Sequence, residues 1–135
     1  MPKPHRIRVV AGLMESNGKL LIAQRNRSHR DGLKWEFPGG KMEKGESAQA
    51  ALVRELKEEL GIEAEIGPEL ARYEYAYPDG ITLLLIFLRV SGFRGSIGNG
   101  FFEQIRWEER NNLLQFDFLD GDRDFVRRLA AGEFR

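Results

Sequence analysis

The sequence predicts one α+β sandwich in which strands of mixed order surround a single early helix. Three observations carry this expectation. Apolar, β-rich runs bounded by turn residues recur near the N-terminus, in the middle of the chain and after residue 100. One segment, Ser47–Leu60, has helical composition with a start signal and a stop signal. The chain has 135 residues, of which 41% are hydrophobic and 31% charged, so one domain over residues 1–135 can bury a core of its own. Disordered chains lack that apolar content.

The elements follow in order. Arg8–Met14 is rich in Val and Leu and reads as a strand; the basic, then apolar N-terminal stretch before and through it has no signal-type cleavage region. Asn17-Gly18 is a tight-turn signal, and Lys19–Gln24 completes a hairpin. Arg25–Lys34 is a polar loop. Trp35–Phe37 leads into Pro38-Gly39-Gly40, expected to be a turn or loop. Ser47 is the N-cap of the helix, and Gly61 stops it. Leu70–Tyr77 and Ile81–Val90 flank Pro78-Asp79-Gly80 as a second hairpin. Ile81–Val90 is apolar on both faces, as a central strand is. Ser91–Gly100, with four glycines, is loop; Glu103–Trp107 is a short strand; Asp122–Ala131 is a terminal helix.

Charge and composition exclude several functions. The 21 basic residues balance 21 acidic ones, which argues against an extended nucleic-acid face. There is no cysteine, so disulfides, thiolate zinc sites and a cysteine nucleophile are impossible, and a reducing cytoplasm suits the chain. The longest apolar run, Ile81–Leu88, falls far short of the roughly 20 residues a membrane span needs.

The segment Gly39–Ile62, GGKMEKGESAQAALVRELKEELGI, carries the chemistry. At about 100° per residue, Glu55, Glu58 and Glu59 share one face of the helix, with Val53, Leu56 and Leu60 nearly opposite. Small Ala48 and Ala51 lie on the acidic side. Three carboxylates at this spacing repel one another, and Arg54 offsets only part of that. A hard divalent ion, Mg²⁺ or Mn²⁺, offsets far more. Taken alone, an E-x-x-E-E stretch is also what a solvated helix face looks like.

The combination is more specific. It resembles the Nudix box, G-x5-E-x7-R-E-U-x-E-E-x-G-U with U a bulky aliphatic residue, at Gly40, Glu46, Arg54, Glu55, Leu56, Glu58, Glu59, Gly61 and Ile62. The resemblance implies a Nudix α/β/α sandwich with a mixed central sheet. It also implies hydrolysis of a nucleoside diphosphate linked to another group, with catalysis by Glu55, Glu58 and Glu59. These glutamates would hold metal together with the Gly40 carbonyl, and Glu46 and Arg54 would pair to fix the loop on the helix.

Further segments are similar to the MutT branch of the family: WEFPGGKMEKGE, IAQR ending at Arg25, and LLQFDFLDGDRDFV. They imply a nucleoside triphosphate pyrophosphohydrolase that cleans the nucleotide pool, with 8-oxo-dGTP or (d)CTP as substrate. Arg25, Phe37 and Asp120 are its expected substrate contacts. Arg25 could equally be a solvated strand end, Trp35 and Phe37 core residues, and Asp120 a helix N-cap. Pro78 occurs in ADP-ribose pyrophosphatases as well and discriminates little. Many relatives carry an acid six residues before the tryptophan matched by Trp107. Here Phe101 stands there, and Glu103 is the nearest substitute as an extra metal ligand or base. Of the two histidines, His5 and His29, only His29 sits in the loop beside the expected pocket, where it could contact phosphate or simply be solvated. The alternatives to a triphosphatase are a nucleotide-sugar or ADP-ribose pyrophosphatase, or a non-catalytic nucleotide-binding module. A homodimer is compatible with the family.

Overall fold

Strand β1 (Arg6–Ser16) organises the molecule because it pairs on several sides. The structure is a computed structural model that describes residues 6–135, so His5 lies outside it. β1 runs parallel to β6 (Thr82–Arg94) from Arg6 opposite Thr82 to Met14 opposite Val90. It runs antiparallel to β4 (Gly39–Lys41) and, at its far end, to β2 (Lys19–Gln24). β2 continues the sheet to β3 (Trp35–Glu36) and β7 (Gln104–Glu109), while β6 pairs its other edge with β5 (Glu63–Ala76).

β6 shows why there are two helical layers. Leu84, Ile86 and Leu88 face a core beneath α1 (Ala48–Leu60), built with Leu52, Leu56 and Leu60. Leu85 and Phe87 face the opposite core, with Phe125, Val126 and Leu129 of α2 (Arg123–Ala130). Phe87 and Phe125 stack with centroids 3.9 Å apart. A strand apolar on both faces needs a cover on each, and the result is the α/β/α sandwich with a mixed sheet.

Beyond shifts of a few residues at the ends of β1 and β7, four differences from the sequence reading stand out. Gly39–Lys41 forms a strand rather than a turn, because bare glycine backbone lies against β1; a Cβ at Gly39 would collide with the Val10 carbonyl. β5 begins at Glu63, well before Leu70, and is irregular between Glu65 and Ala71; it is an edge strand, where Pro68 and charged residues are tolerated and blur the alternation. β6 runs on to Arg94, into the segment expected to be loop. The terminal helix starts at Arg123, after 3-10 turns at Arg110–Gln115 and Asp120–Asp122.

α1 has the caps its sequence announces. Ser47 Oγ accepts from the Ala50 N–H, and Gly61 adopts φ 73°. Its buried face is rotated from the expected one. Ala51, Leu52, Leu56 and Leu60 are buried, Val53 is 39% exposed, and Glu59 is drawn to the edge of the core. That rotation decides which carboxylates enter the site.

Candidate active site

Two adjoining cavities meet where β2, β3, β4 and α1 converge. The first, of about 340 Å³, has apolar walls from β1 and β6, including Val9, Leu83 and Leu85, and carries Asp122 among its polar residues. The second, of about 170 Å³, contains Glu55, Glu59, Asn26, His29 and Phe101. Arg25, Glu36, Gly39 and Gly40 line both.

The three helix glutamates divide. Glu59 is buried and accepts from the Gly39 N–H at 3.1 Å. Burial first, then the charges of Glu36 and Glu55, push its pKa up to about 9. Glu55 lies against Gly40, accepts from Arg54 Nη1 at 2.9 Å, and is raised chiefly by burial. Glu58 is 60% exposed, stands 3.7 Å from Arg54 and lines neither cavity. Among the described residues no group of three acidic or imidazole side chains is gathered closely enough to hold an ion unaided.

Arg54 is the clasp between loop and helix. Its Nε and Nη2 donate to the two oxygens of Glu46 at 2.8 and 2.9 Å, and Nη2 also reaches the Lys41 carbonyl. Glu46 further accepts from the Glu43 N–H. Arg54 and that amide push the Glu46 pKa down to about 2, and the same bonds raise that of Arg54.

Arg25 is held rather than free. Its Nε and Nη2 donate to Glu36, and its Nη1 to the Arg30 carbonyl at 3.1 Å. Glu36, which sequence reasoning missed, is raised by burial against the pull of Arg25. The strand alternation was the available signal: Trp35 and Phe37 turn inward, so Glu36 points the other way.

The structure places the second expected base contact outside the cavities and another acid, two residues later, within one. Asp120 lies outside both cavities, 55% exposed, paired with Arg123 and near Lys34. Asp122 lines the first cavity and is buried. Burial and the Glu36 charge push its pKa up to about 8, while Arg25 and the Phe37 amide act against this. A 3-10 turn at Asp120–Asp122 intervenes, and it turns the later acid inward. As to the expected cap, Asp122 is the residue that precedes α2, and its side chain makes no capping bond.

The remaining candidates fall as follows. Phe37 is buried among Phe118 and Phe125 and forms part of the first cavity's wall. Trp35 packs on Phe116 in the core and lines neither cavity. Glu103 is paired with Arg27 at 3.1 Å, which lowers its pKa, and lies outside both cavities. Phe101 occupies the second cavity instead, 5.9 Å from the ring of His29.

This corner fits a divalent cation. A Cβ on Gly40 would sit 2.5 Å from the Glu55 carboxyl carbon, so only glycine leaves that approach open. Glu36, Glu55 and Glu59 are crowded into partly dry surroundings, each with its charged form disfavoured. A hard ion with oxygen ligands relieves that repulsion, and such ions complete their shells with water and phosphate.

The chain is similar to known proteins over nearly its whole length. The NUDIX domain family model matches residues 3–129. A CTP pyrophosphohydrolase of Escherichia coli is 38% identical over 126 residues, covering 93% of this chain and 92% of that one. A putative 8-oxo-dGTP diphosphatase 2 of Mycobacterium tuberculosis is 33% identical over 129 residues, covering 90% and 86%. Among solved structures, that of the E. coli ORF135 protein superposes with a TM-score of 0.81 at 35% identity, covering 97% of this chain and 96% of that one. Sequence, fold and the clasped acidic corner agree, and the chain belongs to the NUDIX domain family of hydrolases.

Proposed function

We propose that the protein hydrolyses nucleoside (deoxy)triphosphates to the monophosphate and pyrophosphate, as a cytoplasmic nucleotide-pool enzyme favouring 8-oxo-dGTP or (d)CTP. The observation that carries this is the union of two unlike cavities at Arg25, Glu36, Gly39 and Gly40. The apolar one suits a nucleoside and the acidic one a cation-bound phosphate chain. The substrate names of the E. coli and M. tuberculosis relatives support the same reading. Zero net charge favours a free nucleotide over an extended nucleic acid.

The residues take roles in this reading. Glu55, Glu58 and Glu59, with the Gly40 carbonyl, would hold Mg²⁺ or, in its place, Mn²⁺. Held there, the ion would supply charge neutralisation for phosphate oxygens and acidify water. Arg54, gripped by Glu46, keeps the Gly39–Lys41 strand at a fixed distance from α1. Arg25 lies at the junction of base and phosphates and offers a planar donor. Asp122 reads the base edge. As a neutral acid it presents one donor and one acceptor, matching cytosine; ionised, it accepts from the two N–H groups of a guanine-type edge.

Pyrophosphate release over normal and oxidised nucleotides, nucleotide sugars and ADP-ribose tests this. Glu59→Gln and Glu58→Gln should each lower kcat by about 100-fold or more, the scale of an ion's charge stabilisation. Glu59→Gln should leave the metal-free melting temperature unchanged or higher, because burial and the neighbouring carboxylates favour the neutral form of Glu59. Two monophosphate-bearing products from a sugar nucleotide, with triphosphates untouched, would replace this reading.

A further inference from the structure

A bridge between two loops contributes to the wall of the first cavity. One is the segment between β2 and β3; the other is the turn between β5 and β6. The Arg30 guanidinium lies over the Tyr77 ring, 5.3 Å from its centroid, and its Nη2 stands 3.7 Å from Asp79 Oδ2. Arg30 and Tyr77 both line the cavity.

Each end of the bridge is anchored in place. Asp79 Oδ1 accepts from the Ile81 N–H, which leaves Oδ2 facing Arg30. The turn itself is closed by Tyr77 N–H to the Ile81 carbonyl. On the other side, the Arg30 carbonyl accepts from Arg25, the arginine at the junction of the two cavities. Asp31 and Leu33, which follow, hold φ 56° and φ 69°. Non-glycine residues adopt that conformation at a cost, and two so close together mark a loop with an imposed shape. An ion pair with side chains 68% and 47% exposed adds little to folding stability. Its placement on the cavity wall is what bears on ligand binding.

We propose that Arg30, placed over the Tyr77 ring and paired with Asp79, is a nucleoside-binding residue that closes the cavity over its ligand and sets how long the nucleoside stays. Resting on the nucleotide reading above, it adds a specificity determinant outside the Nudix box. Arg30 and Tyr77 form part of the cavity wall, and a guanidinium there offers a planar face to a base and a positive charge to the phosphates. Opening the bridge is required for product to leave.

The test combines kinetics with metal-free binding of a nucleoside monophosphate by calorimetry. Arg30→Ala should raise KM about 10-fold with kcat changed less than about twofold, and weaken monophosphate binding by a similar factor. Tyr77→Ala should do the same, the Arg30→Ala/Tyr77→Ala pair should be no worse than either single variant, and Tyr77→Phe should keep wild-type values. Arg30→Lys, which retains charge without the flat face, should fall with Arg30→Ala. Unchanged KM and monophosphate affinity in Arg30→Ala, or a kcat loss at constant KM, would overturn the proposal. A wild type that binds no nucleoside monophosphate would instead overturn the nucleotide reading. Arg30 is exposed and Tyr77 half-buried, and equal melting temperatures verify that each variant is folded.

Discussion

Asp122 shows how much one residue's surroundings decide. Its carboxyl is raised from 3.8 to about 8 by burial and the nearby Glu36. A folded-state pKa above the unfolded one means that the folded protein binds the proton more tightly. The stabilisation is fully present below the ordinary value near 3.8 and is lost as pH rises through about 8. Within that window the contribution is at most about 1.4 kcal/mol per pH unit. Asp122→Asn removes it, so metal-free thermal melts should fall less steeply between pH 4 and 8 in the variant than in wild type. Parallel melting curves at every pH would refute an uncharged, buried Asp122.

At the scale of elements, β4 and α1 form the working unit, and its two glycines do different jobs. Gly39 lets the β4 backbone lie against β1, while Gly40 leaves room for the Glu55 carboxyl group. Gly39→Ala drives a Cβ into rigid backbone and should destabilise the fold by about 3 kcal/mol or more, visible in urea unfolding. Gly40→Ala meets only a side chain end, so its cost should fall on metal affinity, measured by Mn²⁺ titration, with a far smaller loss of stability. Equal stability losses would contradict this division. The caps Ser47 and Gly61 and the box spacing were legible in the sequence, because they depend on local chemistry within about twenty residues, and the Glu46–Arg54 partnership came from the family resemblance. The rotation of α1 that buries Glu59 and leaves Val53 exposed was not, since it depends on what β6 presents to the helix.

For the whole molecule, Arg110 is the tie that no motif announces. It is buried, and its guanidinium donates to the carbonyls of Leu129, Glu133 and Phe134 and reaches Glu15 at 3.4 Å. One side chain thus joins β1, the 3-10 turn after β7 and the end of α2, satisfying carbonyls that a helix C-terminus leaves open. Arg110→Met should lower global stability by about 2–4 kcal/mol, read as a lower urea midpoint, because the Leu129 and Glu133 carbonyls lose their side-chain donor, while Glu15 and the Phe134 carbonyl keep only Arg89. A smaller shift than about 0.5 kcal/mol would show that water replaces it.

By itself the sequence determined the family, the acidic helix with its clasp and caps, the two hairpins and the central place of β6. Each rests on spacing along the chain or on the alternation of one strand, both of which are local. Tertiary structure alone decided that Glu55 and Glu59 line the second cavity while Glu58 lines neither, and that Asp122 rather than Asp120 lines the first cavity. It also decided that Glu36 joins Arg25 where the two cavities meet and that Arg30 meets Tyr77 on the wall of the first. Those placements depend on the rotation of a helix against a sheet, a short 3-10 turn and the meeting of loops some forty-seven residues apart. Such contacts arise from packing in three dimensions, and no periodicity in one dimension encodes them.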